Sequence, residues 1–407
     1  MEYDLLSLDE KNISLVIEGN KISAQKGQDI SRHGIRRFVG GKVFNASRLG
    51  ASTRDRLLQD SVEWGGPGTA HDYGFAPART EHRAVKFLGE EFFKAYTEGF
   101  HYLVERHPNY VFSGRCNVKN LKKSLTSSYG LDLSTAAGFC EWYFVYQRKG
   151  SGSMMDGYFG NTTDNLNNIM SSILSHEEFL KAEGKTVSLK SQSMPVLLAE
   201  PLEPIEKLKE SFLINKYSEG TALFSGKLGQ QLFDKRVTLH DQNYNAHNGI
   251  IDFFDGEGVV RDSQLTLLDQ GKFASTLSDL RFAKKFEGTS TGNGLRTYNR
   301  GVSLGFNQVC FQKGSKSWKQ ILSGLDRCIV ALVAAGGESN DLGEFSSPVQ
   351  IGYLLEKGEV VGQIPQVTIK TSVASYLKSE LIDISSDGLT PDSPTSQVIS
   401  NMEVFIN

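Results

Sequence analysis

The chain has little with which to hold a metal or attract a polyanion. Of 407 residues, 8 are histidine and 4 are cysteine. Cys116, Cys140, Cys310 and Cys328 show no CxxC spacing, so they read as small buried hydrophobes of a reducing compartment rather than as ligands or disulfide partners. An excess of one charge is missing too. Lys and Arg number 44 against 47 Asp and Glu, a net −3, which argues against nucleic acid and membrane surfaces as partners. The opening MEYDLLSLDE puts acids where a secretory signal needs a basic start and an apolar core. The longest apolar run, Cys328 to Ala335, is far too short to span a bilayer. No phosphate loop, dinucleotide fingerprint or Gly-x-Ser-x-Gly elbow occurs. A cytoplasmic protein is expected, and the length suits two domains that need no disulfide or metal staple.

What the chain does have is punctuated β-sheet. FVGGKVFNA, LLDQGKFAS and LLEKGEVVG share one layout, an apolar pair, a glycine-plus-charge turn and an apolar return, which predicts β-hairpins. Strands are expected at Ser14–Ile17, Gly34–Phe38 and Val43–Ala46, then a helix at Thr53–Trp64 and an exposed glycine-rich loop at 65–78. Apolar residues at helical spacing predict a long helix from Arg83 to Arg106, lying on a sheet made from 110–118, 123–129 and 138–147. A further helix around 166–173 precedes a polar stretch between Gly184 and Met194, which sets the domain boundary at 1–188 and 189–407. The second half opens with a buried strand at Pro195–Ala199 and a helix from Pro204 to about Lys216. It ends with a helix at Trp318–Leu325, strands to Ile369, a helical 373–382, a weakly structured 385–396 and an edge strand at the C-terminus.

FFDGEGV (253–259), the hairpin after it, STGNGLR (290–296) and EFSSPVQIGYLLEKGEVVGQIPQVTI (344–369) together resemble the signature of the TldD/PmbA family. That family is named for modulation of DNA gyrase and is also classed as peptidases. SRHGIRRFVGGKVFNAS resembles its N-terminal stretch. Ser127–Gly130 stands where the family has an Asn-Ser turn, with the asparagine absent. The resemblance implies an α+β, two-domain fold: N-terminal mixed sheets with packed helices, and a C-terminal, largely antiparallel β domain.

Catalytic members of the family carry zinc on a His-Glu-x-x-x-His helix that follows a strand like Pro195–Ala199, with a further cysteine ligand near the C-terminus. Here the helix reads EPIEKLKESFLINKY, without histidine, and the tail after Ile369 has no cysteine. The resemblance is therefore to the non-catalytic PmbA/TldE branch. It implies no catalytic residue and no metal in this chain, zinc in a TldD-like partner, and joint processing of unfolded or leader-type peptides as a heterodimer. The alternatives are a self-associating, homodimeric peptide binder and a peptidase with a relocated site.

Candidates for peptide or partner binding are Asp255, Glu257, Asn293 and Arg296, where glycine-rich turns offer backbone donors. The same glycines also serve simply to turn corners. His240 and His247 bracket a loop and are the remaining metal candidates. His71 sits in the glycine loop, and His176 is expected at an exposed helix end.

Overall fold

The computed structural model describes residues 2–407 apart from 86, 88, 154, 183, 246–249, 252, 262–263, 392 and 394. The first half is built on one sheet. Strands β1 (Glu2–Glu18), β2 (Lys21–Val39), β3 (Lys42–Leu49), β4 (Thr69–Ala70), β5 (Arg79–Ala84), β6 (Tyr110–Ser127), β7 (Leu131–Arg148) and β8 (Gly157–Thr163) lie in the order β4-β3-β2-β1-β6-β7-β5, with β8 also on β7. Every pair is antiparallel except β5 with β7. The three hairpins read from sequence close on two-residue turns. Gly40-Gly41, Gln270-Gly271 and Lys357-Gly358 all have positive φ at both positions, the geometry whose twist matches paired strands.

Helix α1 (Arg54–Glu63) is capped by the Thr53 hydroxyl. Helix α2 runs Glu90–Arg106, and it starts later than its periodicity suggests. Residues 79–84 have instead joined β7 as a parallel strand, and Gly89 begins the helix. Phe92, Tyr96, Phe100 and Leu103 of α2, with Ile169 and Ile173 of helix α3 (Asn167–Ala182), bury against Phe112, Cys116, Trp142 and Phe144 of the sheet. Each such side chain contributes at most about 2–3 kcal/mol of burial. α3 also carries Phe179 and Ala182 into a core with Tyr353 and Trp318 of the second half.

In the second half, Arg327–Ala334 pairs with β9 (Gln192–Leu198), β9 with Val398–Ile406, that strand with Val367–Ser372, and that with Glu344–Glu356. Glu344–Glu356 then pairs back onto Arg327–Ala334, so the strands close on themselves. The C-terminal strand is thus interior to the sheet, not at its edge. Lateral order is set by which faces bury, and Val398, Ile399 and Met402 are all sealed in. A smaller sheet, Leu239–Gln242 with Leu265–Asp269, Lys272–Phe273 and Gln308–Phe311, packs on the same core.

Two expected helices are not regular. Residues 203–218 break into short 3-10 and α turns, and 373–382 forms one π turn before the strand Leu381–Ile384. Among the described residues of 385–396, regular pairing is limited to a bridge from Ser385 to Lys316, but the stretch is pinned, with Ser385 and Ser396 buried. Among the described residues, no helix is long and apolar enough to cross a membrane.

Candidate functional site

The segment that the family resemblance assigns to zinc holds ion pairs instead. Lys207 Nζ lies 2.8 Å from Asp341 and 3.4 Å from Glu210, Lys216 lies 2.7 Å from Glu210, and Lys209 lies 2.6 Å from Glu206. The hydrogen bond from Lys216 holds the Glu210 carboxyl below its ordinary range, and the bond to Asp341 raises Lys207. Carboxylates already matched to ammonium groups, in a broken helix without imidazole, do not fit a tetrahedral zinc site. Among the described residues no three His, Cys, Asp or Glu side chains gather in a way that could hold a metal. All four cysteines are free and buried. Burial pushes the Cys310 and Cys328 thiols up to about 12, the wrong direction for thiolate ligands.

Asp255, Glu257, Asn293 and Arg296 come together at the junction between the first sheet and the glycine-rich turns of the second half. All four are packed inside, Asp255 at 4%, Glu257 at 1% and Asn293 at 0% exposed, with the Arg296 side chain at 2%. Asp255 accepts from the backbone N–H of Glu257, Val259 and Gly294 at 2.9–3.0 Å, which locks the DGEG turn. Gly256 N–H donates to Gly294 O at 2.7 Å, and a Cβ on Gly256 would stand 2.3 Å from that of Arg296. Here glycine is required by closeness of approach. Asn293 donates to Asp241 at 2.7 Å and to Gly305 O at 2.9 Å, and accepts from Arg261 and Thr291.

Three residues that the sequence reading missed complete this junction. Arg296 donates to Asp4 at 2.6 Å and to Gly34 O at 2.7 Å, Arg36 forks onto Asp4 at 2.6 and 3.0 Å, and Tyr129 donates to Asp4 at 2.9 Å. Burial opposes charge on Asp4, but Arg36 and then Arg296 overcome it and hold its pKa below the ordinary value. Glu257 is the reverse case. Burial, reinforced by Asp255, pushes it up to about 7 although Arg36 lies 3.8 Å away. The one available signal was position: Asp4 shares a strand face with Leu6, and Arg36 shares one with Phe38, so each is a charge on a core side.

His240, His176 and His71 have structural surroundings. His240 is buried, with Thr266 3.2 Å from Nδ1 and Gln312 3.3 Å from Nε2, and burial lowers its pKa. His247 lies outside the described residues. His176 is buried rather than exposed, stacked on Phe159 and 3.2 Å from Tyr146, with its pKa pushed by burial to about 3. His71 packs between Phe38 and Phe75.

Residues 191–404 match the model of the PmbA/TldA metallopeptidase C-terminal domain. The chain belongs to the PmbA/TldD family. Two curated relatives match in part. An uncharacterized protein of Methanocaldococcus jannaschii is 24% identical over 184 residues, 44% of this chain and 42% of that protein. A protein of Archaeoglobus fulgidus named metalloprotease is 25% identical over 165 residues, 40% of this chain and 37% of its own. The chain thus spans about two fifths of the length of either relative. The PmbA/TldD fold extends over the whole chain. TldE from Thermococcus kodakarensis superposes with a TM-score of 0.85 at 18% identity, covering 100% of this chain and 97% of that one. A putative modulator of DNA gyrase from Thermotoga maritima gives 0.78 at 19%, covering 99% and 96%.

Proposed function

We propose that this protein is the non-catalytic, TldE-like subunit of a cytoplasmic metalloprotease complex. In this reading a TldD-like chain supplies the zinc, and the two together take in and process unfolded or leader-type peptides. One observation carries it: within a TldE-like fold, the segment due to present zinc ligands presents Lys207, Lys209 and Lys216 bound to Glu206, Glu210 and Asp341. Asp255, Glu257, Asn293 and Arg296 then serve peptide handling by fixing how the two halves meet, since Asp255 and Glu257 accept from backbone N–H groups, Asn293 donates to Asp241 and Arg296 donates to Asp4.

The test is purification of the tagged chain from its native host under mild conditions. A TldD-like chain recovered with it, and peptide cleavage by the pair but not by this chain alone, is the expected result. A homodimer without such a partner supports the self-associating peptide binder instead, and cleavage by the isolated chain supports the relocated peptidase.

A further inference from the structure

Helices α2 and α3 cover one face of the first sheet. Leu15 and Ile17 of β1, Phe112 and Cys116 of β6, and Trp142 and Phe144 of β7 lie in the core beneath them. Strand residues alternate between faces, so the neighbours Val16, Val111, Arg115, Tyr143 and Val145 stand on the opposite one. The register agrees: Val16 lies directly across from Arg115, Arg115 from Tyr143, and Ala24 of β2 from Val16 on its other side. An antiparallel sheet with one wet face is expected to turn polar residues to it. Here Val16 is 6% exposed although it belongs to none of the hydrophobic cores, and Val111, Tyr143 and Val145, also outside those cores, are half-buried. The ring of Tyr158, 5.8 Å from that of Tyr143 and 44% exposed, extends this apolar floor onto β8.

Cations stand on and around that floor. Lys21 and Lys26 of β2 share its face, paired across from Glu18 and Ser14 of β1, and Arg115 rises from its centre. All three are exposed, and among the described residues none of them forms an ion pair. The nearby carboxylates are already matched, Glu10 by Arg32 at 2.9 Å and Glu141 by Lys119 at 2.6 Å. That leaves Glu18 against three cations, a local positive surplus on a chain of net −3. Asn12, two places before Ser14 on the same face, adds a buried Oδ1 with no hydrogen-bond partner. A buried acceptor without a donor is costly, and a docked chain can supply the donor. Tyrosine and arginine at the centre with lysine at the margin is the composition of a protein interface, where desolvated Tyr and Arg carry much of the binding.

We propose that this face of the first sheet, centred on Val16, Arg115 and Tyr143, docks the TldD-like partner through a surface that presents carboxylates around an apolar centre. Apolar contact supplies affinity, while Lys21, Lys26 and Arg115 select an acidic counterpart and fix its register. A second copy of this chain docked by the same face would bring the same cations against one another, which disfavours self-association there. The inference rests on the reading of the chain as the TldE-like half of a complex, and it assigns where the other half attaches and by what chemistry.

The experiment returns the tagged full chain to its native host unaltered, as K26E/R115E, as K21E/K26E, and as K94E. The last is a control of the same sign on α2, where the lysine side chain is 82% exposed on the helix-covered side. The TldD-like chain recovered with each is quantified by mass spectrometry. The unaltered chain and K94E should recover it equally, and K26E/R115E should recover about tenfold less, with circular dichroism and melting temperature unchanged. K21E/K26E, which leaves Arg115 in place, should lower recovery to a smaller degree. Undiminished recovery by both face variants, or an equal loss with K94E, overturns the docking face and spares the functional reading. Recovery of no TldD-like chain by the unaltered protein sinks the functional reading and this inference with it. Sedimentation of the isolated chain tests the other occupant: a homodimer that K26E/R115E dissociates assigns the face to a second copy and contradicts the proposal.

Discussion

Arg296 and Asp4 stand 292 positions apart in the chain and 2.6 Å apart in space. The pair ties the family's GNGLR turn to the first strand of the opposite half, and Arg36 and Tyr129 close on the same carboxylate. The junction therefore couples the stability of the two halves.

Removing Arg296 leaves Gly34 O without its donor and Asp4 short of one cation. Arg296→Met is predicted to lower the unfolding free energy by about 3 kcal/mol, as for other broken buried pairs. Lys319→Met breaks a bond of 2.8 Å to Glu178, but that lysine side chain is 53% exposed, and the loss should stay under about 1 kcal/mol. Urea denaturation of both variants checks the contrast, and similar losses would count against the junction.

Glu257 sets a pH dependence of its own. Its carboxyl moves from 4.5 to about 7, chiefly by burial, so the folded chain holds that proton more tightly than the unfolded chain. The contribution is fully present below about 4.5 and is lost as pH rises through 7, on the order of 3 kcal/mol across that window. Asp4, with its pKa lowered, acts oppositely and only in acid, below the ordinary aspartate value of 3.8. Glu257→Gln should accordingly flatten the fall in stability between pH 5 and 8, measured by denaturant midpoints. An unchanged slope would rule Glu257 out as its source.

Gly256 is defined by what surrounds it. A methyl there would lie 2.3 Å from Arg296 Cβ and 2.9 Å from its nitrogen, whereas a Cβ on Gly288 meets nothing within 4 Å. Gly256→Ala should cost about 1–3 kcal/mol, as overpacking does, and Gly288→Ala should be near neutral. Thermal unfolding of the two variants separates close packing from mere turn preference.

Much of this fold was legible because its signals are local. The GG, QG and KG turns each needed two positive φ angles, and each hairpin formed where the sequence put it. The helix from Thr53 carried its own cap. What stayed hidden depends on distant partners. Residues 79–84 became a strand only because β7 offered them an edge, which delayed the helix to Glu90. The last strand looked like an edge because chain order carries no lateral order, yet it lies between β9 and Val367–Ser372. The candidate residues Asp255, Glu257, Asn293 and Arg296 were visible as a motif. Their completion by Asp4, Arg36 and Tyr129 was not, since those partners lie far away in the chain. His176 was read as exposed because its apolar neighbours Phe159 and Tyr146 belong to strands that only the folded sheet brings beside α3.

His240 tests the relocated-site alternative. Both ring nitrogens face polar side chains, Thr266 and Gln312, so the ring is accounted for by packing. His240→Asn should leave metal content and complex formation unchanged and lower stability by about 1–2 kcal/mol through imperfect replacement of those bonds. Loss of bound metal in this variant would favour the alternative.

The central claim is that lysine–carboxylate pairs occupy the segment that the family resemblance assigns to zinc. Its most direct test is the zinc stoichiometry of the chain, purified by itself and dialysed after exposure to excess zinc. The account predicts well under one zinc per chain. One tightly held zinc per chain, lost on changing Glu206 and Glu210 to glutamine, would contradict it.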